Sequence, residues 1–123
     1  MDITFTDREA DVMQILWDCG PSVVAEVRAR LDDELAYTTV LTVLRTLETK
    51  GYIAHTEEGR GHRYHAVIEQ QEARKSALAH LTSKLFKGSA ELLFAHLVSD
   101  RKLGADEIAR MRKLLADSAK DKS

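Results

Sequence analysis

Cysteine, proline and long apolar runs are nearly absent from this sequence. Its 123 residues include one cysteine, Cys19, and one proline, Pro21, and neither a long apolar stretch nor a charged-then-apolar leader is present. A single cysteine excludes an internal disulfide and a cysteine-based metal cluster. Short apolar runs predict no membrane insertion and no signal peptide. We therefore expect a cytoplasmic protein that forms one compact domain, or a small domain with an appendage.

Motifs of catalysis and metal binding are missing as well. The sequence has no glycine-rich phosphate loop, no Gly-x-Ser-x-Gly, no His-Glu-x-x-His and no convergent pair of carboxylates. His62 and His65 fall on opposite faces of a predicted strand, so that only His55 and His65 are expected as cross-strand neighbours. Two histidines without a third ligand make a poor metal site. We predict no enzyme, no cofactor and no metal.

The charge of the chain is unevenly distributed. Net charge is −2, residues 1–67 hold seven Lys/Arg against twelve Asp/Glu, and residues 68–123 hold eleven against eight. An acidic N-terminal part lowers the expected non-specific affinity for DNA. It does not exclude specific binding, because the sign of the charge on the contacting face matters more than the total.

Residues 37–50 predict an amphipathic helix with an unusual polar face. At about 100° per residue, one stripe is apolar, and the opposite stripe carries threonines and one arginine. Threonine is a poor helix former, so the five threonines of this stretch are not explained by helix stability. A core helix with an incidental threonine face is one interpretation. The other is a helix for the major groove, where Thr contacts a thymine methyl or base edge and Arg binds guanine or phosphate. We favour the second, with Gly51 ending the helix, and predict DNA contacts by Thr38, Thr39, Thr42, Arg45, Thr46 and Lys50.

Two shorter helices are predicted before this one. Thr6-Asp-Arg-Glu9 has the form of a capping box, so a helix should begin at Thr6 or Asp7 and end before Gly20 and Pro21. A second amphipathic helix follows from Ser22 to near Asp32, and a short connector leads to the threonine-rich helix. This order is that of a helix-turn-helix.

A β-hairpin is predicted next. Residues 52–57 and 62–67 are rich in aromatic and β-branched side chains and flank Glu58-Gly59-Arg60-Gly61, a hairpin turn. The hairpin would form a wing with a basic tip that reaches a phosphate or the minor groove. The residues predicted to contact DNA from the wing are Arg60, His62 and Arg63.

From Glu69 the composition shifts to Ala, Leu, Lys and Gln, which places a predicted domain boundary between residues 1–67 and 68–123. Three helices are expected there, interrupted at Gly88-Ser89 and before Gly104. Such an arm cannot close a core by itself, so we expect it to pair with the arm of a second copy. The fold class is then mainly α with a small β-hairpin: a winged helix-turn-helix domain followed by a C-terminal helical dimerisation arm. The predicted dimerisation residues are Leu78, Leu81, Leu85, Leu93, Phe94, Leu97, Ile108, Met111 and Leu115.

Motifs along nearly the whole chain resemble the penicillinase and methicillin-resistance repressor family (BlaI/MecI/CopY). They are Phe5-Thr-Asp-Arg-Glu9, Trp17 before Gly20-Pro21, Val24-Ala-Glu-Val27, Ala36-Tyr-Thr-Thr-Val40, Leu47-Glu-x-Lys-Gly-Tyr52 and Gly59-Arg-x-His-Arg-Tyr64. The resemblance implies a homodimeric winged-helix repressor that binds palindromic operators in double-stranded DNA through residues 38–50. It also implies dimerisation through the C-terminal helices.

The route of induction differs between branches of that family. The copper-responsive branch carries a C-terminal cysteine cluster, which is disfavoured here because no cysteine follows Cys19. In the β-lactam branch a membrane sensor's protease pathway cuts the repressor at an Asn-Phe bond, and the aligned pair is His96-Leu97. Whether this protein is cut stays open. An alternative function is a winged-helix module for protein–protein interaction, which an acidic domain also suits. The threonine-rich helix and the glycine-flanked Arg60 favour DNA.

Overall fold

The computed structural model of the protein describes residues 2–100 and 102–121. These residues form a mainly α-helical structure with one small antiparallel sheet. The elements in chain order are α1 (Asp7–Cys19), β1 (Ser22–Val23), α2 (Val24–Arg30), α3 (Tyr37–Thr49), β2 (Ile53–Glu58), β3 (Gly61–Ala66), α4 (Gln70–Leu85), α5 (Ala90–Asp100) and α6 (Ala105–Asp121). Each helix in the described ranges is too short or too polar to cross a membrane.

The chain divides into two compact units between Ala79 and His80, within α4. The sequence predicts a boundary earlier, where the composition changes. The beginning of α4 nevertheless packs with the first unit, because Ala73 is buried and the Ser76 hydroxyl accepts a hydrogen bond from the Ile3 amide at 2.9 Å. The amino-acid composition therefore changes earlier along the chain than the contacts with the first unit end.

Helix α1 begins at the predicted capping box. The Thr6 hydroxyl accepts a hydrogen bond from the Glu9 amide at 3.1 Å, and the Glu9 carboxylate accepts one from the Thr6 amide at 2.8 Å. Gly20, with φ of +77°, follows the last turn and suits the end of the helix because glycine has no Cβ to clash. The predicted start and end of this helix are confirmed.

Glu9 also connects α1 to the end of α3. Its carboxylate is 5% exposed and accepts two hydrogen bonds from Lys50 Nζ, at 2.8 and 2.9 Å. Burial opposes ionisation of Glu9, but the hydrogen bonds from Lys50 and Thr6 outweigh it and hold the pKa of Glu9 below its ordinary value of 4.5. The ion pair thus fixes the C-terminal end of α3 on the first turn of α1.

We expect Lys50→Met to destabilise the protein by about 1.5–3 kcal/mol, because it leaves a buried carboxylate without its cation. Glu9 has a lowered pKa, so its contribution to stability is present above pH 4.5 and is lost as pH falls through the lowered value in the folded state. Urea unfolding from pH 7 to pH 3 measures both effects. The same change at the exposed Lys84 is the control, and an equal loss of stability in both variants would contradict this role of Lys50.

The core of the first unit lies between α1, α2, α3 and the sheet. Tyr64 from β3 is 1% exposed and is the largest fully buried side chain. The buried apolar residues are Ile3, Val12, Met13, Leu16, Val24, Val27, Val40, Leu44, Leu47, Tyr52, Ile53, Tyr64 and Ala73. This packing fixes one stripe of α3 and leaves its opposite side at the surface.

The sheet has three strands in the order β1-β3-β2, all antiparallel. Sequence analysis missed β1, because a strand of two residues shows no alternation of polar and apolar side chains. The predicted pairing of His55 with His65 is wrong, since His55 lies opposite Tyr64 and His65 lies opposite Ala54. The hairpin itself is confirmed, with a two-residue loop at Gly59 and Arg60. Gly59 has φ of +61°, as a type II′ turn requires at its first loop position.

The three C-terminal helices are confirmed, and α5 and α6 contain no buried residue among those described. Ser89 precedes α5, and its hydroxyl accepts a hydrogen bond from the Leu92 amide at 3.0 Å, which caps the helix. Large apolar side chains along α4, α5 and α6 are exposed instead of packed. Those exposed are Leu78, Leu81, Leu85, Leu92, Phe94, Leu97, Val98, Ile108, Leu114 and Leu115.

Candidate nucleic-acid interface

The exposed side of α3 is the first part of the candidate site. The apolar stripe of Val40, Leu44 and Leu47 is fully buried, and the polar side chains on the other side reach solvent. A hydrogen bond of 2.7 Å from Arg28 Nε to the Leu35 carbonyl links α2 to the connector at residues 31–36. This bond holds the connector that leads into α3. We call the exposed residues the threonine face: Thr38, Thr42, Arg45, Thr46 and Thr49.

Three hydroxyls of the threonine face bond to their own helix. Thr42 donates to the Thr38 carbonyl at 2.9 Å, Thr46 to the Thr42 carbonyl at 2.9 Å, and Thr49 to the Arg45 carbonyl at 3.0 Å. Their hydrogens are therefore used within α3. The methyl groups and oxygen lone pairs remain for contact, which suits a thymine methyl or the amino group of cytosine.

A cleft lies between α3 and the tip of the wing, and we call it the wing cleft. Its volume is about 210 Å³, and Tyr37, Leu41 and Arg45 of α3 line one side. Arg60, Gly61 and His62 line the other, and Val24 completes it. Arg45 therefore stands at the border between the threonine face and the wing cleft. Sequence analysis missed Tyr37, which is 46% exposed at the first turn of α3; its place in the cleft depends on the hairpin, which periodicity along the helix does not reveal.

The histidines of the wing form a stacked pair beside this cleft. The rings of His55 and His62 are 4.0 Å apart between centroids and inclined by 8°. His55 Nδ1 lies 2.6 Å from a carboxylate oxygen of Glu48 on α3. Tyr64 contacts both rings, and burial followed by the negative charge of Glu48 raises the pKa of Tyr64. The pair thus connects α3 to the outer part of the wing.

Arg63, predicted to contact DNA, is held elsewhere. Its guanidinium bonds to the carboxylates of Glu58 and Glu26, both at 3.2 Å through its terminal nitrogens, and donates to the Pro21 carbonyl at 3.1 Å. The hydrogen bond with Glu58 is the main reason that the pKa of Arg63 is raised. Two carboxylates neutralise its charge, so we assign Arg63 to holding the wing against β1 and the start of α2.

Lys50 and Thr39 also lie apart from the threonine face. Lys50 is engaged by the buried Glu9, as described above, and its charge is compensated there. Thr39 is half-buried beside Val40. Of the nine residues predicted to contact DNA, the structure groups six around the threonine face and the wing cleft: Thr38, Thr42, Arg45, Thr46, Arg60 and His62.

The side chains predicted for dimerisation and cleavage lie mostly at the surface. Leu93 and Met111 are half-buried, and the other predicted dimerisation residues are exposed. The His96 ring is 58% exposed, lies 3.7 Å from an Asp100 carboxylate oxygen and packs edge-on against Phe86 at 5.4 Å between centroids. Among residues 2–100 and 102–121, no group of three or more His, Cys, Asp or Glu is placed to hold a metal ion.

Two comparisons at the level of sequence identify related proteins. The family model described as Penicillinase repressor matches residues 5–117. The transcriptional regulator BlaI of Mycobacterium tuberculosis is 34% identical over 115 residues, which cover 90% of this chain and 82% of that protein. The same identity and coverage hold for BlaI of two strains, CDC 1551 and H37Rv.

Several solved structures have a similar fold. The regulator Tm0710 from Thermotoga maritima superposes with a TM-score of 0.55 at 20% identity, over 93% of this chain and 73% of that one. The structure of hsRosR-S4 gives 0.56 at 17% identity, over 97% and 93%. MarR from E. coli gives 0.52 at 18% identity, over 93% and 77%. At these identities the likeness concerns the fold alone, and it confirms the winged helix-turn-helix.

Proposed function

Since the chain belongs to the penicillinase repressor family of DNA-binding transcriptional repressors, we propose that two copies bind one palindromic operator and block the promoter beneath it. The protein is a regulator and not an enzyme. In the proposed complex each copy places α3 in one major groove and the wing beside it. An inducing pathway then removes the repressor from the operator.

The observation that carries the proposal is the threonine face. Its residues are exposed while Val40, Leu44 and Leu47 on the opposite stripe are fully buried, so α3 is fixed with this face outward. Short side chains with methyl groups and oxygen acceptors fit against base edges, and all acidic residues of the first unit except Glu48 lie outside α3. Glu48, the one acid of α3, is turned toward His55.

Dimerisation is supported by the arm. Apolar side chains at ten positions of α4, α5 and α6 are exposed, and none of the described residues in α5 and α6 is buried. Many exposed large apolar side chains on one part of a protein mark an interaction site, and self-association of like arms would bury them symmetrically. Helix-turn-helix dimers bind half-sites about one helical turn, roughly 34–36 Å, apart, and we expect that spacing in the operator.

Inactivation by proteolysis is a second element of the proposal. His96 and Leu97 occupy the position of the family's cleaved bond by resemblance, and both side chains are exposed on α5. A cut there divides α5 and separates α6 from the rest of the chain, which would weaken the dimer. We expect mass spectrometry to find a fragment ending at His96 after incubation with extract of induced source cells. Intact protein in induced and uninduced extract alike would argue against this element.

Selection of DNA by the purified protein tests the function directly. Sheared DNA of the source genome is incubated with the full chain near physiological salt, and retained fragments are sequenced and footprinted. We expect short inverted repeats near promoters, protected on two adjacent major-groove faces. No enrichment over bulk DNA would contradict the proposal. The alternative of a protein–protein interaction module predicts that second outcome, and membership of a DNA-binding family weighs against it.

A further inference from the structure

We propose that the wing cleft binds one phosphate of the DNA backbone through Arg45, Arg60 and protonated His62, so that operator binding takes up a proton. The inference rests on the proposed function and adds the chemistry of one contact and its dependence on pH. It assigns Arg45 to a phosphate instead of a base. It also gives the stacked histidine pair of the wing a role in binding.

The two arginines of the cleft carry uncompensated charge. Arg45 and Arg60 line the same cleft of about 210 Å³ from opposite sides. Within the described part of the chain neither guanidinium forms an ion pair, whereas neighbouring Arg63 is held by two carboxylates. Two guanidinium groups that line one cleft without a carboxylate partner repel each other, and an anion bound between them would offset the repulsion. In a protein that binds DNA, that anion is a backbone phosphate.

His62 adds a titratable donor to the same cleft. Its ring is stacked on His55 at 4.0 Å, a separation at which two imidazolium rings repel strongly. A carboxylate oxygen of Glu48 lies 2.6 Å from Nδ1 of His55. Arg45 and Arg60, which line the cleft together with His62, oppose a positive charge on its ring in the free protein.

A bound phosphate would reverse the effect of the two arginines on the charge of His62. The anion neutralises the charge of both guanidinium groups and stabilises a positive charge on His62. The protonated His62 ring then donates a hydrogen bond to the anion. Glu57 lies directly opposite His62 in the hairpin register with or without the anion, so its effect on His62 is the same in both states. Several titratable and charged groups line the cleft, contact the two rings or lie opposite them in the hairpin. They are Tyr37, Arg45 and Glu48 of α3, Glu57 of β2, Tyr64 of β3 and Arg60 of the loop.

Operator binding should become stronger as pH falls. A complex that holds one more proton than its free parts becomes more stable as pH falls, because proton uptake is then less costly. Histidine normally titrates near pH 6.5. We therefore expect the association constant to rise up to about tenfold per pH unit as pH is lowered from about 8 to about 6.

Calorimetry on the full chain measures how many protons are taken up when the duplex binds. A duplex recovered by the selection described above is titrated at pH 7 in buffers of different ionisation enthalpy, and the slope of the binding enthalpy gives proton uptake. We expect about 0.5–1 proton per bound chain for the unaltered protein. His62→Gln should reduce this to near zero. His65→Gln, on the other face of β3 opposite Ala54, is the matched control and should retain the uptake.

Substitution of the two arginines tests whether they bind a phosphate of the DNA backbone. Arg45→Ala and Arg60→Ala should each lower affinity alike for the recovered duplex and for versions with single base changes. Each should also reduce the slope of log affinity against log salt by about 1. Three results would each overturn the inference. They are tight binding without proton uptake, proton uptake that persists in His62→Gln, and loss of preference at one base pair in Arg45→Ala. A protein that retains no duplex would instead overturn the proposed function.

Discussion

Leu115→Asp in α6 is expected to convert the protein to a monomer and to weaken operator binding by about 10²–10⁴-fold. Leu115 is 54% exposed, so its replacement empties no core within one chain. In the proposed dimer the same position becomes buried, and an unpaired carboxylate there is costly. Without the second copy the duplex loses the advantage of a linked half-site, while each threonine face stays intact.

Sedimentation velocity and binding to the selected duplex measure the two parts of this prediction. Leu97→Asp in α5 is a second variant on the arm with the same expected outcome. Lys113→Gln changes the net charge by the same amount on the opposite side of α6 and should leave the dimer unaffected. A Leu115→Asp protein that remains dimeric with full affinity would show that α6 lies outside the interface.

Thr42→Glu at the centre of the threonine face is expected to reduce operator affinity by about 100-fold or more. A carboxylate at this position would face base edges and phosphates of the major groove, and like charges placed together in an interface cost several kcal/mol. Thr42 is exposed and glutamate is a better helix former, so the fold should be retained or slightly stabilised.

Fluorescence anisotropy with the selected duplex measures the loss, and thermal unfolding verifies the fold. Thr4→Glu makes the same chemical change at an exposed position before α1, so it controls for added negative charge on the first unit. Equal affinity of both variants would place the groove contact on a surface other than α3.

The elements of this fold were predictable where their signals are local. The capping box at Thr6 and Glu9 sets the start of α1 within four residues of chain, and the buried stripe of α3 follows from its spacing alone. The wing was recognisable from two β-rich segments around Gly59 and Arg60. In each case the physical cause acts between neighbours in the sequence.

What sequence analysis did not find depends on partners that are distant along the chain. Lys50 and Arg63 are basic residues beside the predicted interface, and both were assigned to DNA. Their partners, Glu9 and Glu26, are 41 and 37 residues away along the chain. The pairing of His55 likewise depends on the length of the hairpin loop. A cation can be assigned to DNA only after the carboxylates that surround it are known.

The hydrogen bond from Trp17 Nε1 to the Ile68 carbonyl, at 3.0 Å, joins α1 to the segment that leads into α4. Trp17 is the only tryptophan in the chain. Its emission spectrum therefore reports on this junction without an attached label, and loss of the bond would expose the indole to water and shift the emission to longer wavelength. The same signal, followed in time after mixing with DNA or with a protease, would show whether release of the operator involves the contact between α1 and the segment before α4.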